Sequence, residues 1–191
     1  NLGKGAAILT AIEVAVARDC AHLITLDADG QHFPEDLPAL LAAVHEHPGS
    51  IIIGVRDFSA PEIPRSSRFG RLFGNFWVWV QTGVRVGDIQ SGYRAYPVWL
   101  LRKIKTLSRR YAFEVEVVVR ALWGGVTVHP LPVRVQYSRL ALRNSHYHKL
   151  RDNLVLTALN THLTGRSILP WPHLRFTKPD GSAEPISPWH P

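Results

Sequence analysis

Two aspartates separated by one residue, Asp27 and Asp29, follow directly on the apolar run Leu23-Ile24-Thr25-Leu26. A buried strand delivers the residues after it to the C-terminal edge of an α/β sheet, where such sheets bind ligands. In extended chain, residues two apart point the same way. Asp27, Asp29 and Gln31 would therefore offer hard oxygens to Mg²⁺ or Mn²⁺. Such a cation completes its coordination with phosphate oxygens, which makes a nucleoside diphosphate the first ligand class to consider. With Gly30 between them, the same residues would also form a plain Asx-rich turn.

A second group of charged residues follows the run Ser50 to Val55. Residues 56–68 carry Arg56, Asp57, Arg65 and Arg68 among prolines and serines, and loops after parallel strands are where chemistry gathers. Next, Phe69, Leu72, Phe73, Phe76 and Val80 recur at helical spacing, widened by Trp77 and Trp79. Such a stripe packs into a core by default. The alternative is a surface that meets a lipid chain or the membrane interface, which tryptophan favours. Arg65, Arg68 and Arg71 beside it would suit a lipid with a phosphate head. Gly87 to Arg94 reads as a polar turn. Gly3-Lys4-Gly5 sits at a helix start, where free N–H groups favour anions, but it lacks P-loop spacing.

The elements that must carry these groups follow from periodicity. Ile8, Ala11, Ile12 and Ala15 mark a first helix, 23–26 a strand, and Leu37, Leu40, Leu41 and Val44 a helix beginning near Asp36 because of Pro38. Ile51-Ile52-Ile53 is continuously apolar, as in a strand buried on both faces. A short helix is expected over 97–105, and another with Val115, Val118, Val119 and Leu122 on its core face. Residues 126–128 and 133–137 alternate like a strand, with Pro130-Leu131-Pro132 as a break suited to an edge. A basic stretch, 139–151, leads into a helix through about 163, and the Pro- and Trp-rich tail from 165 reads as irregular.

The chain of 191 residues suits one domain with a sizeable core, and its 22 Lys+Arg against 15 Asp+Glu give a net charge of +7. That balance suits nucleic acid, an anionic membrane or phosphorylated substrates equally. Cys20 is the only cysteine, which excludes a disulfide framework and points to a reducing compartment. No stretch is long and apolar enough to cross a membrane. The sequence has no methionine, so Asn1 is not an ordinary translation start and upstream sequence is expected.

Several stretches then agree in one order: Asn1 to Ala7, Leu26 to Pro34, Gln90-Ser91-Gly92-Tyr93-Arg94, Phe113-Glu114-Val115-Glu116 and Gly125 to Pro132. Together they resemble the family 2 glycosyltransferases of GT-A fold, in the branch of dolichyl- and polyprenyl-phosphate sugar synthases, over roughly residues 1–165. The resemblance implies an α/β, Rossmann-like, mostly parallel sheet with flanking helices and without the family's first strand, followed by a C-terminal helix and an irregular Pro-rich tail. The corresponding segments are a GT-A domain over 1–138, a basic helical extension over 139–165 and a tail over 166–191.

The resemblance also implies roles. Asp27 would lie against the sugar nucleotide with Lys4 nearby, and Asp29 with Gln31 and Asp27 would hold Mg²⁺ or Mn²⁺. Arg56, Arg68 and Ser91 would grip an acceptor phosphate, and Asp88 and Arg94 would line the reacting centre. Glu114 and Glu116 match a stretch where the family stresses one acid, without deciding between them, and a salt bridge holding a loop is the plain alternative for both. The implied reaction moves a sugar from a nucleoside-diphosphate donor to a polyprenyl phosphate or similar lipid, with inversion. A lipid phosphate is already anionic and needs no strong base, whereas a hydroxyl acceptor would need one, for which Asp88 is the first candidate. The work would be done at the inner face of the cell membrane by a peripheral cytoplasmic protein. A family Pro-x-x-Asn-Glu loop is not found in this chain, so a fragment or a degenerate, non-catalytic module binding a partner or membrane surface is the alternative. Nucleic acid is not an expected partner, since no recognised motif accompanies the charge.

Overall fold

In the computed structural model of the chain, residues 3–57, 63, 65–108, 110–136, 149–169, 173 and 175–177 are described, without the side chains of 65, 66 and 149–153. The sheet has strands β1 (His22–Thr25), β2 (Ile51–Arg56), β3 (Arg94–Pro97) and β4 (Val128–Val133) in the order β1-β3-β2-β4. β3 runs antiparallel to both neighbours, with Arg94 opposite Thr25 on one side and Ile53 on the other. Only β2 and β4 pair in parallel, from Ile51 opposite Val128 to Arg56 opposite Val133. The expected mostly parallel sheet is thus corrected to a mixed one in which antiparallel pairings predominate.

The cause is β3, which periodicity does not reveal. Arg-Ala-Tyr-Pro is four residues long, starts on a charge and ends on a proline, so it reads as the tail of a polar turn. Its insertion has a consequence for the site. β1, β2 and β4 point the same way, so their C-terminal ends share one edge of the sheet. β3 starts at that edge, which brings residues 88–93 there too.

The prolines of β4 also behave differently from the expected break. The strand passes straight through Pro130 and Pro132, both paired to β2. Two prolines two residues apart lose their N–H groups on the same side of a strand. Because β4 is an edge strand, that side can be the unpaired one.

Helices cover both faces. On one side Ile51, Ile53 and Tyr96 meet Ile8 and Ile12 of α1 (Lys4–Ala17), Val78 of α3 (Arg65–Thr82), Leu100 of α4 (Val98–Lys103), Val117 and Val118 of α5 (Ala112–Trp123), and Leu159 and Leu163 of α6 (Lys149–Ile168). On the other, Ile52, Tyr93, Ala95 and Val133 meet Leu40 of α2 (Leu37–Glu46). The unbroken apolar run of β2 is explained by this two-sided burial. A 3-10 turn, Pro34–Asp36, precedes α2, and Pro38 lies in the first turn of α2, where its missing N–H costs nothing.

Helix α3 reverses the default expectation for its stripe. Phe69 is 68% exposed, Leu72 62%, Phe73 51% and Phe76 50%, with Trp79 and Val80 also exposed. The face turned inward is that of Gly74, Val78 and Gln81. Gly74 lies against Ile89 so closely that a Cβ there would require a shift. Buried Gln81 donates to Asn160 Oδ1 (3.1 Å) and Thr164 Oγ1 (3.3 Å) of α6, and its carbonyl accepts Trp123 Nε1 (2.8 Å). These polar contacts set which side of α3 faces the protein. Beyond α6, Phe176 N donates to Gly124 O (2.9 Å) and the Trp123 ring stacks on His173, so part of the irregular tail packs on α5. The basic stretch expected over 139–148 lies outside the described residues.

Candidate functional site

Asp27 lies two residues beyond the end of β1, and its carboxylate meets the ammonium of Lys4 at 2.5 Å. Lys4 Nζ also lies 3.0 Å from Glu114 Oε2. Helix α1 opens with Lys4, so its first residue reaches across to the loop after β1. Gly92 sits directly against this pair. A Cβ at position 92 would overlap the Asp27 carboxylate and the Lys4 ammonium, so any larger residue there would push this pair aside. Thr25 Oγ1 donates to Gly92 O (2.9 Å) and ties the same loop to β1.

That loop is braced from within by Arg94, which is fully buried. Its guanidinium donates to the carbonyl oxygens of Ser91 (2.6 Å), Ile89 and Glu114 (3.2 Å), and to the Tyr96 hydroxyl (3.3 Å). Burial raises the pKa of Tyr96 and keeps its phenol neutral. Arg94 Nε lies 3.7 Å from Glu114 Oε1. Glu114 is thereby flanked by two cations, Lys4 and Arg94. Glu116 has the other role: fully buried, it accepts the N–H groups of Leu107 and Ser108 and pairs with Arg120. It holds a loop, and Glu114 belongs to the site.

The Asp27-to-Gln31 stretch is an Asx turn. Asp29 Oδ1 accepts Gln31 N at 2.9 Å, and Gly30 takes φ +74°, a conformation glycine adopts without cost. Among the described residues no three His, Cys, Asp or Glu side chains converge on one point. Mg²⁺ and Mn²⁺ do not require such a cage, because one or two carboxylates with substrate phosphates suffice. The donor chemistry fits on those terms. Asp29 makes no ion pair among the described residues, whereas one oxygen of Asp27 is committed to Lys4.

His32 continues the turn. Its side chain is buried against the Tyr93 ring, centroids 5.4 Å apart, and Nδ1 lacks a partner among the described residues. Burial, and then the charge of Arg56, lower its pKa from 6.5. The folded state therefore favours neutral imidazole. Stability present above about pH 6.5 should fall as pH drops through that value toward the lower folded pKa. Urea midpoints at about pH 7.5 and 5.5 check this, and His32→Gln should narrow the difference. A parallel loss in both proteins would exclude His32 as the titrating group.

On the other side of the 88–94 loop lies a cleft of about 750 Å³, lined by Val55, Arg56 and Asp57 of β2 and beyond, Arg68, Arg71 and Leu72 of α3, and Pro132, Val133 and Arg134 of β4 and beyond, with Asp36. Four arginines against two aspartates leave this lining doubly positive. Asp88, fully buried, holds Arg56 side-on: Nε to Oδ2 at 2.6 Å and Nη2 to Oδ1 at 3.0 Å. Both partners are thereby oriented.

The expected site residues thus fall into three places. Lys4, Asp27, Asp29 and Gln31 gather at the turn after β1, and Arg56 and Arg68 line the cleft. Asp88, Ser91 and Arg94 are fully buried and line neither. Ser91 gives its carbonyl to Arg94, and Asp88 gives both carboxylate oxygens to Arg56. These three shape the loop from beneath. Asp36 and Arg134 escaped sequence reasoning, since they pair across 98 positions with no motif between them. Residues 58–62 and 64 of the loop after β2 lie outside the described residues.

The glycosyl transferase family 2 model matches residues 1–110. The chain belongs to this family. A polyprenol monophosphomannose synthase of Mycolicibacterium smegmatis is 30% identical over 163 residues, covering 82% of this chain and 61% of that protein. An undecaprenyl-phosphate mannosyltransferase of Micrococcus luteus is 31% identical, covering 69% and 56%. An uncharacterised protein of Methanocaldococcus jannaschii is 31% identical, covering 74% and 60%. This family 2 chain therefore spans about three fifths of the length of the relatives it matches. The crystal structure of mannosyl-3-phosphoglycerate synthase from Rubrobacter xylanophilus superposes with a TM-score of 0.56 at 20% identity, over 94% of this chain and 62% of that one. The fold of the two is shared.

Proposed function

We propose that this chain carries the catalytic core of a glycosyltransferase that moves a sugar from a nucleoside diphosphate to a lipid monophosphate. One observation carries the reading. The loop from Asp88 to Arg94 touches two charged places at once, Arg56 of the cleft through Asp88 and, through Gly92, the Asp27–Lys4 pair, whose carboxylate would take a diphosphate together with a divalent cation. A transfer between two phosphorylated substrates needs two such places close together. The names of the mannosyl-transferring relatives agree with this chemistry.

On this reading Asp27 and Lys4 contact the donor, and Asp29 with Gln31 presents oxygens to Mg²⁺ or Mn²⁺. The cation, when bound, neutralises charge on the departing diphosphate. Arg56, Arg68 and Arg71 hold the acceptor's phosphate, whose oxygen is already anionic near pH 7 and attacks without a general base. Attack from the face opposite the leaving group inverts the anomeric carbon. Arg94 and Glu114 keep the loop and Lys4 in place.

The exposed face of α3 gives the lipid its place. Leu72 lines the cleft, and Phe69, Phe73, Phe76 and Trp79 continue outward from it. No described helix is long and apolar enough to cross a membrane, so contact would be through this face at the bilayer surface. The test is transfer from a panel of nucleoside-diphosphate sugars, mannose first, with Mn²⁺ and farnesyl monophosphate in anionic phospholipid vesicles. Glycosylated prenyl phosphate with inverted anomer is expected, none from farnesol, and Phe73→Asp should reduce sedimentation with the vesicles severalfold. Failure of every donor with farnesyl monophosphate would overturn the reading.

A further inference from the structure

Adjacent parallel strands β2 and β4 each have, at or just past the C-terminal end, an arginine paired with an aspartate. Arg56 closes β2 and is held by Asp88. Arg134 follows β4 and is held by Asp36 through Nε to Oδ1 at 2.8 Å and Nη2 to Oδ1 at 2.7 Å, while its backbone N–H donates to Oδ2 at 2.8 Å. Its guanidinium also lies over the Phe33 ring, 5.1 Å from the centroid. Arg134 lines the same cleft as Arg56, Arg68 and Arg71, yet its side chain remains 60% exposed. A surface ion pair of that exposure does little for stability. A guanidinium held by a carboxylate on one edge and an aromatic ring on one face is, however, held in one orientation.

The grip of Asp36 has a second connection. Val135 bridges His32 in antiparallel fashion, and Gln136 N donates to Gln31 O at 2.9 Å. Gln31 is the residue whose own N–H closes the Asp29 turn. Residues 134–136 are therefore fastened to 31–36 at three successive points, and Arg134 is the point that faces the cleft.

We propose that Arg134 is a further anion-binding residue of the cleft, and that Asp36 is the positioning residue that aims it. The inference rests on the acceptor-phosphate reading of the cleft given above. The ligand class is a phosphomonoester, an anion suited to a cleft lined by four arginines. Arg134 supplies the wall opposite α3, so the anion is held from β2, α3 and β4. The pair also joins the anion's place to the Asp29 turn through Gln31 and Gln136.

The test measures binding of farnesyl monophosphate, with farnesol as control, by calorimetry on the wild-type chain and on Arg134→Gln, Arg134→Lys and Asp36→Asn. Arg134→Gln should weaken binding about tenfold, as expected for one charge-assisted contact. Arg134→Lys should recover only part, because an ammonium cannot reproduce the two-nitrogen contact with Asp36. Asp36→Asn is the decisive variant. It removes a negative charge from the cleft, so a merely electrostatic role predicts tighter binding of an anion. A positioning role predicts binding severalfold weaker, with a melting temperature close to wild type. Binding that is unchanged in Arg134→Gln, or tighter in Asp36→Asn, overturns the proposal. Absence of farnesyl monophosphate binding by wild type, with Arg56→Gln equally inert, would instead overturn the acceptor reading on which it rests.

Discussion

Arg94→Met should cost about 3–5 kcal/mol of folding stability, the range for removing one partner from a buried charged network. Arg94 is fully buried, and three carbonyl oxygens and the Tyr96 hydroxyl take its N–H groups. Methionine fills much of the space but donates nothing, so the carbonyls of Ile89, Ser91 and Glu114 lose their donor inside the protein. The carboxylate of Glu114 keeps only Lys4 beside it. Against a total stability of about 5–15 kcal/mol the loss is large, and urea unfolding should show it as a much lower midpoint with an unchanged slope. Arg94→Lys should rescue little, because one ammonium cannot reach acceptors spread around a planar fork. A methionine variant within about 1 kcal/mol of wild type would mean that the loop between Asp88 and Arg94 is held by something other than this guanidinium.

Asp29→Ala should lower the rate of sugar transfer by about a hundredfold or more, the usual scale for losing one preorganised electrostatic group. The comparison with Asp29→Asn separates two roles of the residue. Asparagine keeps an oxygen for the N–H of Gln31 and so preserves the Asx turn. It cannot supply the negative charge. Both variants should therefore lose activity to a similar degree, and both should require more Mn²⁺ for half-maximal rate. An asparagine variant of wild-type rate would leave Asp29 as a turn residue alone and remove it from the cation-binding set.

The wild-type arrangement explains why the two aspartates of the turn are not equivalent. Asp27 is already neutralised by Lys4 at 2.5 Å, with Glu114 on the far side of the ammonium. Asp29 has no such partner among the described residues. Glycine at 92 is the condition for this asymmetry, since any side chain there would displace Asp27 from Lys4. The Asp27–Lys4 pair and the cleft thus depend on one loop. Its backbone is held from below by Arg94, and its two ends reach Asp27 and Arg56.

Much of this was legible in the sequence wherever the signal was local. The apolar run 51–53, the helix beginning near Asp36, and the pairing of Asp27-Ala28-Asp29 with a strand end all follow from patterns a few residues long, and the structure contains each of them. The Asx turn and a charged site were alternatives in the sequence. In the structure the turn is present and leaves Asp29 without an ion pair among the described residues. Patterns that depend on what lies opposite were misread. The stripe from Phe69 to Val80 has helical spacing, and α3 is a helix, but spacing alone does not say which face meets the core. Gln81, Asn160 and Trp123 decided that, turning the phenylalanines outward. Prolines 130 and 132 suit an edge, which is where β4 lies, but the strand runs through them without the break they suggest.

By itself the sequence determined the chemistry on offer: oxygens after β1, arginines after β2, and a polar, glycine-bearing turn further on. These are properties of residue type and short spacing. Tertiary structure decided which of them meet. The reversed strand β3, too short and too polar to be seen in the pattern, carries its preceding loop to the edge where the other three strands end. It also takes Asp88, Ser91 and Arg94 out of solvent, making them supports for Arg56 and the loop. Arg134 comes under the hold of Asp36, 98 positions away, only because β4 pairs beside β2. Contacts between residues so far apart carry no local signal, since their energies depend on the packed sheet that brings them together.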